Sequence, residues 1–364
     1  MPPPVRLGFI GAGHLFQEIH LPAFSLCPEV ELLVLCDIRE AALALALKLY
    51  GIRETTSDYH EVLAMSEVDA VVLTVPHDLH GRVAEQALKA GKHVLSEKPM
   101  ALDVAEGHAI RSAAQSSGQV YMVALPHRFD AESNLLRRWV REGRLGGVFH
   151  VRAGWVRRSA CPRGWFTQHQ RAGGGALLQL GTHILDLATW LLDFPRIERV
   201  SATCFRKGRP WRPPPPPVVA SREPPSLEVA DDGVHDVEDF GIVVLHLEGG
   251  RTITLEAGWS LHCQSDRQYL EVFGDRAGAS LWPLRRFEDA DGHPTDIVPR
   301  HATINHHHAL ARHFVDSIVA RESPIESPVI GNSEDGVRLV HLMRAVYESA
   351  QAGREIEMAR IPPP

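Results

Sequence analysis

Lys98 lies in the run His93-Val94-Leu95-Ser96-Glu97-Lys98-Pro99, where a β-rich stretch ends on an acid and a base and meets a proline. A second chemical feature opens the chain, for Gly11 and Gly13 follow directly on the apolar run Val5 to Ile10. Glycines let the backbone turn tightly, so that a pyrophosphate can approach the free N–H groups and positive dipole end of a following helix. Phe16 stands where a G-x-G-x-x-G pattern places its third glycine, a departure from the full signature. Asp37 ends the next apolar run, about 20 residues on, where a carboxylate can accept hydrogen bonds from ribose hydroxyls and repel a 2′-phosphate. That pattern favours NAD over NADP, although Arg39 close by is a residue that pairs with phosphate. Ligands of open α/β sheets bind beyond the carboxyl ends of the strands, so Lys98 is expected to face the nicotinamide.

The elements that must hold these residues alternate between short apolar runs and longer helix-like segments, the pattern of a doubly wound parallel sheet. Strands are expected at Val5 to Ile10, Val30 to Cys36, Val68 to Val75, His93 to Ser96 and Gln119 to Leu125. Helices are expected from near His14, over Ala41 to Tyr50 ended by Gly51, and over Gly81 to Ala90 ended by Gly91. Beyond Pro126 the period changes: a helix over Glu132 to Glu142 precedes alternating stretches at Val148 to Val156, Phe240 to Leu247 and Arg251 to Ser260. Gly249-Gly250 is the hairpin turn between the last two. The fold class is therefore α/β, an N-terminal Rossmann sheet followed by an α+β domain on a large, mainly antiparallel sheet. Pro210 to Pro217 and Pro224-Pro225 read as a surface loop of polyproline II character.

At 364 residues the chain exceeds what one core usually supports, and two domains are expected, 1–125 for the dinucleotide and 126–364 for substrate and oligomerisation. A net charge of -7 argues against a nucleic-acid surface, which needs a basic patch. No apolar stretch reaches the roughly 20 residues that a bilayer requires. Met1 to Arg6 leads straight into the first strand, without the regions of a secretory signal, and the five scattered cysteines form no Cys-x-x-Cys pair. A cytoplasmic location is expected. His306-His307-His308 is not expected to make a metal site, because adjacent residues on a helix point in different directions and no thiolate lies near in sequence. Ile253 and Leu255 are expected on an open sheet face that a second subunit covers, giving a homodimer or homotetramer.

Taken together, Gly8-Phe9-Ile10-Gly11-Ala12-Gly13, His20-Leu21-Pro22-Ala23, Thr74-Val75-Pro76-His77-Asp78-Leu79-His80 and Glu97-Lys98-Pro99 resemble the Gfo/Idh/MocA oxidoreductases. The resemblance continues through Arg128-Phe129-Asp130, Gly164-Trp165-Phe166, Gly173 to Leu177, Gly181-Thr182-His183, Val237-Glu238-Asp239, Arg312 to Asp316 and Tyr347 to Ala350. It implies pyranose or cyclitol chemistry with a nicotinamide cofactor, Lys98 as active-site lysine and His183 as acid/base. Such an imidazole, with an ordinary pKa near ~6.5, can carry the carbinol proton, while the lysine ammonium hydrogen-bonds the developing alkoxide. The resemblance also implies cofactor contacts from Gly11, Gly13, His14, Leu15, Asp37, Ile38, Thr74, Pro76, His80, Glu97 and Lys98, and substrate contacts from His127, Trp165, Gln179, His183 and Asp186. Gln179 departs from the family, whose inositol dehydrogenase-like members carry aspartate there. A glutamine can hydrogen-bond but cannot charge-stabilise an imidazolium. Asp186, at i+3 from His183, is placed either to supply that carboxylate or to serve as a cap or core polar group.

Two other classes share this fold. A hydrolase that uses held NAD for transient oxidation would release free sugar without net NADH, and a non-catalytic sensor would lack the Lys98 and His183 pair.

Overall fold

The computed structural model describes residues 3–50, 52–214, 233–321 and 330–358, which fall into two compact units. The first begins with β1 (Val5–Ile10), a helical entry whose middle is a π turn (Phe16–His20), and α1 (Leu21–Ser25). It continues through β2 (Val30–Cys36), α2 (Glu40–Tyr50), β3 (Glu54–Thr56), α3 (Tyr59–Ala64), β4 (Ala70–Leu73), α4 (His77–Lys89), β5 (His93–Ser96), α5 (Val104–Ser117) and β6 (Tyr121–Val123). All five pairings in its sheet are parallel, in the order β3-β2-β1-β4-β5-β6. The strands β1, β4 and β5 are largely buried on both faces, which is why they read as nearly unbroken apolar runs, whereas the edge strand β3 is Glu-Thr-Thr and partly exposed. The order reverses direction between β1 and β4, the position where such sheets bind their ligands.

The second unit contains α6 (Ala131–Arg141), β7 (Val148–Val156), α7 (His169–Ala172), a second π turn (Leu177–Gly181) and α8 (Thr182–Leu191). Then come β8 (Ile197–Arg206), β9 (Arg209–Trp211), β10 (Phe240–Leu247), β11 (Thr252–Gly258), β12 (Arg267–Gly274), β13 (Ala277–Leu281), β14 (Arg285–Ala290) and β15 (His293–Ile297). These build a mixed, mainly antiparallel ten-stranded sheet; β7 and β11 are its parallel pair. The C-terminal segment supplies α9 (His306–Arg321), α10 (Ser333–Ala352) and β16 (Ile356–Glu357), the last an edge strand on β8.

Several expectations are corrected. The sequence reading groups everything after 126 together, yet Asn305–Val340 belongs with the first unit, because Val337, Leu339 and Val340 join its core. Ile253 and Leu255 are 0% and 2% exposed: they share the face of β11 that packs on the π turn and α8, where a Cβ on Gly181 would lie 3.5 Å from Leu255. The opposite face carries Thr254, Glu256, Arg152, Glu271 and Tyr269, joined by Arg152–Glu271 and Tyr269–Glu256 hydrogen bonds. Pro210 sits inside β9, an edge strand, where a missing N–H costs no ladder bond. The remainder of the proline run from 215, with Pro224-Pro225 and Gly51, lies outside the described residues. Helix α4 starts at His77, four residues before Gly81, because Pro76 occupies its N-cap with extended ψ.

Candidate active site

In the first unit the glycine turn is tied to both neighbouring strands. Gly11 N donates to Cys36 O at 2.8 Å and Thr74 Oγ1 donates to Gly11 O at 2.7 Å. Gly11 has φ +106°, and a Cβ there would lie 2.6 Å from the Thr74 carbonyl oxygen, so only glycine fits. At Gly13 a Cβ would meet no protein atom within 4 Å. Packing within the chain does not require that glycine, whereas close approach of a ligand does. His14 is exposed and Leu15 half-buried at the start of the helical entry. Phe16 replaces the third glycine as a fully buried ring, edge-on to Phe9 at 5.0 Å and to Tyr50 at 6.1 Å, in a π turn that widens the helix there.

Asp37 is 9% exposed at the end of β2. Its carboxylate accepts Ala12 N at 2.7 Å, Arg39 N at 2.8 Å and Arg39 Nε at 3.0 Å. Burial works to raise its pKa, and these bonds outweigh it, holding the group below its ordinary value. Arg39 therefore neutralises Asp37 while keeping 53% of its side chain exposed. Ile38 beside it is among the exposed large apolar residues. Thr74 and Pro76 are half-buried beyond β4.

His80 is a correction. It is fully buried, with Nδ1 at 2.6 Å from Pro99 O and Nε2 at 2.9 Å from Val75 O, so both ring edges face main-chain carbonyls of the fold, and its one N–H, when the ring is neutral, donates to one of them. It ties the loop after β4 to the loop after β5. At that second loop Glu97 Oε1 meets His20 Nε2 at 2.8 Å, and Oε2 accepts Lys98 N at 3.2 Å. Burial opposes ionisation of Glu97, but the His20 hydrogen bond and the nearby Lys98 hold its pKa down. Lys98 itself is only 8% exposed, an uncommon place for an ammonium group.

The second unit gathers four rings. His127 lies 5.7 Å from His183, 6.0 Å from Trp155 and 5.3 Å from Trp282, and Trp155 lies 5.9 Å from His183. His127 Nδ1 meets Asp130 Oδ2 at 3.1 Å and its Nε2 meets Gln268 Nε2 at 3.4 Å. Both ring nitrogens of His127 thus face side-chain partners within the second unit. Gln179 lies in the second π turn, where its carbonyl accepts the indole N–H of the fully buried Trp259 at 2.5 Å. Asp186 receives Arg128 through Nε at 2.9 Å and Nη2 at 2.6 Å, both side chains being nearly inaccessible. Its carboxylate is thus the counter-charge of a core guanidinium. Trp165 stacks on Phe166 at 3.8 Å in the 3-10 turn Gly164–Thr167.

Glu238 has a role that sequence reasoning missed. It is fully buried and accepts Gly175 N at 2.8 Å, Leu177 N at 3.0 Å and Tyr347 OH at 2.8 Å. It thereby anchors the start of the helical stretch that carries Gln179 and His183. Gly174 and Gly175 are required beside it, since a Cβ would strike the Tyr347 hydroxyl or the Glu238 carbonyl. The clustered glycines next to an isolated Val-Glu-Asp were the available signal. Trp155 and Trp282 left none.

A doubly wound parallel sheet with a glycine turn, an ionised strand-end carboxylate and a buried strand-end lysine defines a nicotinamide-dinucleotide oxidoreductase, and the residues present fit NAD. Residues 5–125 match the description "Oxidoreductase family, NAD-binding Rossmann fold" and residues 134–280 the "GFO/IDH/MocA C-terminal domain". The D-glucoside 3-dehydrogenase of Escherichia coli (strain K12) is 30% identical over 362 residues, 98% of either chain. The inositol 2-dehydrogenase of Rhizobium meliloti (strain 1021) is 25% identical over 361 residues, 98% of this chain and 99% of the relative. Levoglucosan dehydrogenase, solved in complex with NADH and L-sorbose, superposes with a TM-score of 0.82 at 21% identity, covering 99% of this chain and 100% of that one. The chain belongs to the Gfo/Idh/MocA oxidoreductase family. Among its described residues no helix is long and apolar enough to cross a membrane.

Proposed function

We propose that this chain is an NAD(H)-dependent dehydrogenase acting on a hydroxyl-bearing carbon of a sugar, sugar derivative or cyclitol. The observation that carries the reading is Lys98, an ammonium buried beyond the carboxyl end of β5, an interior strand of the NAD-binding sheet, beside a carboxylate that His20 holds in place. The 30% identity to a D-glucoside 3-dehydrogenase over nearly the whole chain supports a sugar as substrate. When bound, NAD supplies the hydride acceptor or donor. His183 takes the carbinol proton on a ring nitrogen as the carbon is oxidised and returns it in the reverse direction. Lys98 hydrogen-bonds the alkoxide oxygen that develops in the same step, where a preoriented cation stabilises charge most. Asp37, ionised, favours NAD over NADP. We also propose a cytoplasmic homodimer or homotetramer. All five cysteines are free, and the open sheet face carries the exposed Ile242 among polar neighbours.

The test follows absorbance of the reduced cofactor with a panel of pyranosides and cyclitols. Lys98→Met is expected to lower kcat at least about 1,000-fold while NADH binding is largely retained. Turnover close to the unmutated protein removes Lys98 from the mechanism, and no turnover by any form with either cofactor removes the dehydrogenase reading.

A further inference from the structure

Trp282 has φ +66°, a left-handed backbone that bulky side chains rarely adopt. It stands in the short turn that joins β13 to β14, where a left-handed residue closes the hairpin, and core packing does not require a tryptophan there. Leu281 and Leu284 on either side are 1% and 2% exposed and do that work, whereas the Trp282 side chain is only half-buried. What the strained turn achieves is to hold an indole 5.3 Å from the His127 ring, itself 5.7 Å from His183. His127 is locked from its two nitrogens by Asp130 and Gln268, so its contact with the indole has a fixed geometry. A half-exposed aromatic held at a left-handed position against a ring that itself contacts His183 points to a ligand surface.

We propose that Trp282 is the platform on which the apolar C–H face of a pyranoside rests, and that it makes the site selective for rings whose hydroxyls are equatorial. In such a ring the axial positions carry hydrogens, so the two faces are flat and apolar while the hydroxyls form a polar rim. The rim suits His183 and the amide of Gln268; the face suits an indole, which combines large contact area with a negative π surface toward C–H groups. A ring with axial hydroxyls would press oxygen against the indole and leave its hydrogen bonds unmade. This inference rests on the reading of His183 as acid/base for a sugar carbinol.

The experiment measures binding of methyl β-D-glucopyranoside and of 1,6-anhydroglucose, whose hydroxyls are axial, to the full chain with NADH present, by calorimetry. Trp282→Gly removes the ring and relieves the left-handed strain, and Trp282→Asn is a second ring-free variant that tolerates the same backbone. Both are expected to lose about tenfold or more in glucoside affinity, while Trp282→Phe stays within about threefold. Preference for the glucoside over the anhydro sugar is expected to vanish with the ring. Glucoside affinity in a folded ring-free variant equal to that of the unmutated chain overturns the platform. The underlying reading has its own arm: His183→Asn is expected to bind the glucoside and fail to oxidise it. Oxidation by that variant at the unmutated rate defeats the acid/base assignment even where the Trp282 result stands.

Discussion

The Arg128–Asp186 pair connects the imidazoles of His127 and His183, since Arg128 follows His127 and Asp186 lies one turn from His183 on α8. Its two hydrogen bonds are 2.9 and 2.6 Å, with side chains 2% and 5% exposed. Asp186→Leu takes this carboxylate away from the buried guanidinium, and Arg128→Met takes this guanidinium away from the buried carboxylate. Either change is expected to cost about 3–5 kcal/mol. Independent losses would sum to roughly 6–10 kcal/mol in a double variant. If the pair is mutually dependent, Arg128→Met with Asp186→Leu instead removes both charges and is expected within about 2 kcal/mol of the unmutated protein. Urea denaturation of the four forms, read by far-ultraviolet circular dichroism, gives the coupling energy. Turnover completes the test, because an apolar pair restores stability without the planar fork that fixes His127 relative to His183. The double variant is therefore expected to fold like the parent and remain at least tenfold slower. A double variant as unstable as the sum of its singles, or one that is both stable and fully active, refutes this reasoning.

Two further perturbations discriminate between packing and ligand roles. Gly11→Ala drives a methyl against the Thr74 carbonyl at a positive φ and is expected to destabilise the first unit by at least about 1 kcal/mol, whereas Gly13→Ala leaves the melting temperature unchanged. Both are expected to weaken NADH binding at least tenfold by fluorescence titration; full affinity in Gly13→Ala would mean that the turn does not cradle the dinucleotide. Glu238 is pushed up from 4.5 to about 7 by burial, against the opposing bonds from Tyr347, Gly175 and Leu177. With the folded pKa raised, its contribution is fully present below the unfolded value of 4.5 and is lost as pH rises to about 7, a loss of up to about 3 kcal/mol. Urea midpoints between pH 4.5 and 8 are expected to fall more steeply for the parent than for Glu238→Gln, and identical slopes would exclude the assignment.

Five strands were legible to the residue: Val5–Ile10, Val30–Cys36, His93–Ser96, Val148–Val156 and Phe240–Leu247. Their ends are marked by glycine, charge or proline, and their interiors by unbroken or alternating apolar residues. What escaped depends on long-range contacts. Ile253 and Leu255 were recognised as apolar, but which side of a sheet receives helices is not a local property, and they turned inward under α8. A π turn has no period distinct enough to read from five residues, so Phe16 registered as a missing glycine rather than as a core ring. His80 was grouped with cofactor contacts by its motif, and only the fold shows both its nitrogens facing main-chain carbonyls. Glu238 and Trp282 have partners 61 or more residues away, Leu177 for the one and His127 for the other.

That buried His80 ring has a practical consequence for engineering. Because it bridges Val75 and Pro99, the segment bearing Thr74 and Pro76 and the segment bearing Glu97 and Lys98 form one mechanical part. Cofactor preference set near Asp37 lies at a different strand end and is redesigned together with the glycine turn, whose Ala12 N–H donates to Asp37. The lysine end cannot be transplanted piecemeal. A graft that moves the Glu97-Lys98-Pro99 segment into another scaffold must bring the histidine and the loop after β4 with it, or the lysine arrives without its alignment.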